Sequence, residues 1–227
     1  ERWANACVLS GDCIAACKHG VNPRLLLSMA RVAQKQKSKP AKERRQEGGN
    51  AFKRLASDVR VLSQIQLSDI DLSTLIPSAQ QSSEKTPSPP EVVFYTGCNV
   101  LKTPHIALLC IDILELLGVN YVVQGGPKHC CGILQVRAGD IDGAGRMGSA
   151  TLEKFITSGA SRVLTWCPSC FVNFTETIIP SFERVDSKKA LDMTPFVLYL
   201  LERLEDIRPH LVHRTPLKVA LHAHRGV

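Results

Sequence analysis

Nine cysteines in 227 residues are the feature of this sequence most able to do chemistry. They stand at positions 7, 13, 17, 98, 110, 130, 131, 167 and 170. The thiolate is a soft metal ligand and a nucleophile, so the set points to metal or redox chemistry or to disulfides. Disulfides fit poorly. The chain is far longer than disulfide-stapled miniproteins, and Glu1-Arg2-Trp3 opens it without an apolar signal core, so it reads as cytoplasmic. Cysteines 7, 13 and 17 form one close group. Cys98, the Cys130-Cys131-Gly132 step and Cys167-Pro-Ser-Cys170 form a second, dispersed group. Cys110 belongs to neither. It lies on the apolar face of a helical pattern and reads as a buried core thiol.

The elements that must position these thiols fall into three zones. Residues 1–36 carry the first cysteine group and a helical pattern at Leu25, Leu26, Met29 and Val32. Residues 37–90 read as a basic, then Pro/Ser-rich linker with one helix, whose face is Phe52, Leu55, Val59 and Leu62. From residue 91 strands and helices alternate. Glu91–Thr96, Tyr121–Gln124, Arg162–Trp166 and Lys218–His222 read as strands. Thr103–Gly118, Ser149–Gly159, Pro168–Ile179 and Met193–Leu204 read as helices. In the first of these, Ile106, Leu109, Cys110, Ile113 and Leu117 form the expected inner face. The fold class is α/β: a cysteine-rich domain, residues 91–216, with a parallel sheet and flanking helices, plus a small, mostly helical N-terminal segment. Residues 217–227 read as the start of a second, incomplete repeat, so the chain reads as part of a longer protein.

This periodicity places the dispersed cysteines. Cys98 follows the first strand, Cys130 and Cys131 the second, Cys167 and Cys170 the third. In an open parallel sheet the loops after the strands gather at one edge, where ligands bind. Five thiols therefore converge. Zinc commonly takes two close pairs, whereas the adjacent Cys130-Cys131 pair diverges and suits a larger, several-cornered object such as an iron–sulfur cluster. Gly132 allows close backbone approach, and Pro168 opens a helix whose positive end favours thiolate at Cys167. Trp166-Cys167-Pro-Ser-Cys170 also fits a thioredoxin-like dithiol motif, and structural zinc remains a further alternative.

The pattern Cys98, Cys130-Cys131-Gly132, Cys167-Pro-Ser-Cys170 resembles the cysteine-rich CCG domain found in the B and D subunits of heterodisulfide reductases. Iron–sulfur subunits of glycolate oxidase and lactate utilisation share that domain. The resemblance implies a [4Fe-4S] cluster, of cubane or noncubane form, held by Cys98, Cys130, Cys131, Cys167 and Cys170. It implies an oxidoreductase subunit that moves electrons to or from a thiol or disulfide substrate; the relatives that only relay electrons are the alternative. Cys7, Ser10, Cys13 and Cys17 are similar to the ferredoxin run C-x2-C-x2-C-x3-C, with Ser10 in place of the second cysteine. A second cluster, [3Fe-4S] or [4Fe-4S], on Cys7, Cys13 and Cys17 is therefore expected. His129, next to the cysteine pair, is the candidate catalytic proton donor. The reductases carry two CCG motifs, and here His224 stands where a second copy would place its first cysteine. The implied partners are a thiol/disulfide substrate or electron-transfer protein and other subunits of a redox complex.

Charge and composition narrow the remaining classes. The net charge is +7, and residues 35–47 hold much of the excess, which reads as a solvated linker. No aromatic side chain lies within that run to stack on bases, so no nucleic-acid partner is expected. No apolar run reaches the ~18–20 residues of a membrane span. The longest, Ile106–Val123, is broken by Asp112 and Glu115. Gly143-Ala-Gly145-Arg-Met-Gly148 mimics a nucleotide-binding glycine string, but no strand directly precedes it, and it reads as a loop entering a helix.

Overall fold

A computed structural model describes residues 2–76, 88–186, 191–213 and 216–220. Five helices come first: α1 (Arg2–Ala6), α2 (Asp12–Ala16), α3 (Pro23–Ser38), α4 (Ala41–Gln66) and α5 (Asp69–Leu75). Asn22 caps α3 by accepting from the Leu25 N–H at 2.9 Å, and Pro23 supplies the preset first turn. The basic run at residues 35–47 is solvated, as expected, but it is helical and not a linker. It is the last turn of α3, a two-residue turn at 39–40 and the first turns of α4, and Lys35 and Lys39 both pair with Glu47 across the turn. Arg44 donates to the Gly139 carbonyl at 3.0 Å, tying the turn to the cysteine-rich half. Within residues 37–90 there are two described helices, α4 and α5, and both bury apolar side chains, Val59 and Leu75, against the sheet's core. The Pro/Ser-rich stretch at 77–87 lies outside the described residues.

The sheet has four parallel strands in the order β2-β1-β3-β4: β1 (Val92–Gly97), β2 (Tyr121–Gly125), β3 (Arg162–Thr165) and β4 (Asp192–Pro195). All of β1 is buried, as a central strand covered on both faces must be. Its side chains alternate between two cores. Val92 and Phe94 join Leu114, Leu164 and Phe196 on one side; Val93 and Tyr95 join Leu152, Phe155, Phe174 and Met193 on the other. The crossovers are α6 (Pro104–Leu116), then α7 (Ile133–Ala138) with α8 (Ile141–Thr157), then α9 (Pro168–Asn173), which runs through a π-helical turn at Phe174–Ile178 into α10 (Ile179–Asp186). Helix α11 (Phe196–Glu202) follows β4.

Three sequence expectations change. The inner face of α6 is Ala107, Cys110, Ile111 and Leu114, while Leu109 is 59% exposed. The helix is apolar nearly all round, so the periodicity fits two faces. Asp112 and Glu115, both exposed, settle which one turns outward. Helix α8 starts at Ile141, not Ser149, because Asp140 caps it through the Gly143 N–H at 3.1 Å. The glycine string is thus helical. Gly148 is a contact point, since a Cβ there would collide with the Ile178 side chain. The fourth strand is Asp192–Pro195, which takes the first turn of the helix expected over Met193–Leu204; Pro195 ends it and leads directly into α11. Lys218–Ala220 has no regular structure, and the rest of the expected strand, with His224, lies outside the described residues.

Candidate metal centre

Strand β1 ends at Gly97, whose φ of +65° turns the chain sharply so that Cys98 enters the sheet's carboxyl edge. The turn is crowded. A Cβ on Gly97 would lie 3.2 Å from Cys170 Sγ and 3.6 Å from Cys167 Cβ. After β2, a 3-10 turn at Pro127–His129 delivers Cys130 and Cys131, and Gly132, at φ +80°, starts α7. After β3, Trp166 leads to Cys167, the N-cap residue of α9, and Cys170 lies one turn on. The chain departs from β1 and β3 toward opposite flanks of the sheet, and that divergence opens the crevice in which such folds bind ligands.

The five thiols form one continuous string. Cys98 Sγ and Cys130 Sγ lie 4.0 Å apart, and further thiol contacts link Cys130 to Cys131, Cys131 to Cys170 and Cys170 to Cys167. Protons are shared unevenly along it. Cys130 accepts from Cys131, Cys98 and the Gly132 N–H, which pulls its thiol down to about 3 against the effect of burial. Cys98, donating to Cys130 and buried, is pushed well above the ordinary thiol range. Cys131 rises to about 12 as donor to Cys130, and Cys170 rises as donor to Cys131 and Cys167. Cys167 falls to about 7: Cys170 donates to it, the Cys170 and Ser169 N–H groups of α9 point at it, and Arg137 adds positive charge. Cys98, Cys130, Cys131 and Cys170 are at most 5% exposed, and Cys167 alone is half-buried. The small neighbours Gly97 and Gly132 are buried too, so the edge is more closed than their size implies.

Residues that sequence spacing did not single out hold the loop in shape. The Tyr95 hydroxyl donates to the His129 carbonyl at 2.7 Å, with its ring edge-on to Phe155 and Phe174. Thr151 donates to the Cys130 carbonyl at 3.1 Å and Asn173 to the Cys131 carbonyl at 2.6 Å. Tyr95 was visible only as a β-strand aromatic. Thr151 and Asn173 lie on helices far away in sequence and carry no local signal. His129 itself is engaged on both ring nitrogens. Nδ1 donates to the Gly125 carbonyl at 2.8 Å, which leaves Nε2 to accept from Lys154 Nζ at 3.0 Å. Burial lowers its pKa, so the ring is neutral and pins the loop.

A site of this kind can be tested against the groups it would hold. Among the described residues, no three Cys, His, Asp or Glu side chains converge as ligands of a single ion do. A string of sulfurs instead offers thiolates at separate points, which fits a cluster with several irons better than one tetrahedral zinc. The Thr165 hydroxyl, at the last position of β3, is buried without a hydrogen-bond partner among the described residues. The donor set, five thiols in one string, fits a cluster-sized group. Cys110 takes no part: it lies in the core behind α6, its thiol raised to about 12 by burial.

The N-terminal thiols are arranged differently. Cys7, Cys13 and Cys17 are all half-buried, on and around a loop with two left-handed residues, Leu9 at φ +62° and Gly11 at φ +85°. The Leu9 N–H donates to Cys7 Sγ at 3.3 Å, and Arg31 donates to the carbonyls of Ala4, Asn5 and Cys7. Arg24 donates to the Leu9 carbonyl at 3.3 Å and pairs with Glu176 in the π-helical turn at 2.6 Å, so the loop is docked on the cysteine-rich half. Among the described residues no hydrogen bond joins these three thiols. Ser10 bonds to Asp12 at 3.2 Å.

Residues 92–175 match the family of CCG cysteine-rich domains. This stretch is a CCG domain. It contains all five thiols of the string. The chain is also 24% identical over 213 residues to the D subunit of the dihydromethanophenazine:CoB–CoM heterodisulfide reductase of Methanosarcina acetivorans, across 89% of this chain and 46% of that relative. The corresponding D subunits of Methanosarcina barkeri and Methanosarcina mazei are 28% and 29% identical over 85 residues, 36% of this chain and 21% of each relative. The chain therefore spans less than half the length of these relatives. No solved structure matches it significantly. The resemblance read from the cysteine spacing and the α/β class read from the alternation both stand. Among the described residues no helix is long and apolar enough to cross a membrane.

Proposed function

We propose that the chain is an iron–sulfur redox subunit of an oxidoreductase, with Cys98, Cys130, Cys131, Cys167 and Cys170 of the CCG domain holding one [4Fe-4S] cluster. The five-sulfur string carries this reading. The family match and the similarity to heterodisulfide reductase subunits support it. Such a cluster supplies one-electron redox chemistry beside a sulfur-containing substrate. The chain's own residues do the rest. Tyr95, Thr151 and Asn173 fix the Cys130-Cys131 backbone, and the Phe155 and Phe174 rings wall out water. Binding requires all five thiols to lose their protons, which the depressed Cys130 and Cys167 do most readily. Only Cys167 is half-exposed, so a thiol or disulfide would approach from the side of Trp166 and Cys167. His129, neutral and already donating from Nδ1, serves as an anchor of the loop in this reading.

A second reading is favoured by the burial of the other four thiols: the centre passes electrons to a partner protein or another subunit and touches no substrate. Cys7, Cys13 and Cys17 would hold a second cluster, with three or four irons, as the point where electrons enter or leave. The experiment that separates these readings adds thiol and disulfide compounds to the oxidised, anaerobically prepared protein and follows the EPR spectrum. A new or shifted signal supports action on sulfur substrates. A spectrum indifferent to all of them, with normal electron exchange to a protein partner, supports the relay.

A further inference from the structure

A cleft of about 230 Å³ lies between α3 and α7, lined by Asn5, Leu9, Arg31, Lys35, Ile133 and Arg137, among others. None of its lining residues is acidic, and three are cationic. Lys35 is partly neutralised, because it shares Glu47 with Lys39. Arg31 uses its guanidinium on three backbone carbonyls and, among the described residues, has no carboxylate partner. Arg137 likewise pairs with no acid among the described residues. The Asn5 and Ser28 side chains add uncharged polar groups, and Leu9, Ile133 and Val136 give an apolar wall. Two guanidinium side chains without carboxylate partners among the described residues line one concave space, which makes a favourable field for an anion. Arg31 keeps only Nη1 clear of the backbone carbonyls, so Arg137 supplies the forked N–H groups that suit a carboxylate or phosphate.

The location adds meaning. Ile133 begins the helix that starts two residues after Cys131, and Leu9 belongs to the loop that follows Cys7. Arg137 is also close enough to Cys167 to act on it electrostatically. The cleft thus sits on the boundary between the two cysteine groups. Its volume is below the ~300–1,000 Å³ of sites for drug-sized ligands, which excludes a dinucleotide or a large cofactor.

We propose that this cleft binds one small anion-headed molecule, a phosphate or short carboxylate with a few apolar atoms, between Arg31 and Arg137. The site does not depend on any cluster being present, so it stands or falls separately from the redox reading. Inorganic phosphate and propionate are titrated into the full chain at low ionic strength, with binding followed by calorimetry and by the NMR signals of α7. One saturable site is expected. Arg137→Gln should weaken it at least tenfold, whereas Arg60→Gln, on the exposed side of α4, should leave it unchanged. Circular dichroism shows whether both variants keep the fold, and Ser28→Ala is the fallback should Arg137→Gln misfold. Phosphate binding without propionate binding would assign the site to phosphate esters, and the reverse to carboxylates. Binding that does not saturate, or that Arg137→Gln and Arg60→Gln weaken equally, overturns the proposal.

Discussion

Replacing Glu176 by alanine removes the carboxylate that holds the N-terminal cysteine loop against the CCG domain. Glu176 Oε1 accepts from Arg24 Nε at 3.0 Å, Arg24 Nη2 at 2.6 Å and Asn22 Nδ2 at 2.8 Å. The Arg24 and Glu176 side chains are 9% and 12% exposed, so the ion pair is nearly buried. Loss of the acid leaves the guanidinium, among the described residues, with only the Leu9 carbonyl, and frees Nδ2 of Asn22, whose Oδ1 caps α3. Breaking a buried pair costs about 3–5 kcal/mol, and slight exposure favours the low end. At about 2–4 °C per kcal/mol for a chain of this size, the melting temperature should fall by roughly 6–12 °C. Limited proteolysis should at the same time begin within the first 38 residues, ahead of the sheet. Glu176→Gln, which keeps an acceptor oxygen but no charge, should fall between wild type and alanine. An alanine variant that melts within about 1 °C of wild type and resists protease equally would show that the ion pair does not dock the loop.

Three further outcomes follow from the same geometry. Gly132→Ala should destabilise by well over 1 kcal/mol in thermal melts, because φ is +80° and its Cβ would meet the Ala144 carbonyl at 2.7 Å. Cys110→Ala should keep full iron content and lose about 1–2 kcal/mol, as a small core truncation outside the sulfur string. In reduced, metal-free protein, iodoacetamide should label Cys167 with a rate that rises through about pH 7 as its thiolate forms, while Cys110, raised to about 12, stays unlabelled; mass spectrometry of peptides checks both.

The sheet edge was legible because strands announce themselves twice, by β-branched runs and by the loops that follow them. Cys98, Cys130, Cys131, Cys167 and Cys170 each stand just after such a run, and the structure brings all five together. The inner face of α6 was not legible from apolar spacing, since almost every position there is apolar; the two exposed acids carried the information. Strand β4 was hidden for a different reason. Asp192-Met-Thr-Pro is short and has no alternation, and only pairing with Arg162–Thr165 makes it a strand. The supports of the Cys130-Cys131 loop were invisible because Thr151 and Asn173 act through tertiary contact alone. The role of Arg24 was equally hidden, since its partner Glu176 is distant in sequence and sits in a π-helical turn that no local pattern marks.

The proposed function stands on the five CCG thiols together holding one iron–sulfur cluster. Iron and acid-labile sulfide per chain, measured on anaerobically reconstituted wild type and on a variant with Cys98, Cys130, Cys131, Cys167 and Cys170 all changed to serine, test it most directly. The variant should lose about four irons and four sulfides relative to wild type, with circular dichroism still showing the α/β fold. A folded variant that retains the wild-type iron and sulfide would contradict it.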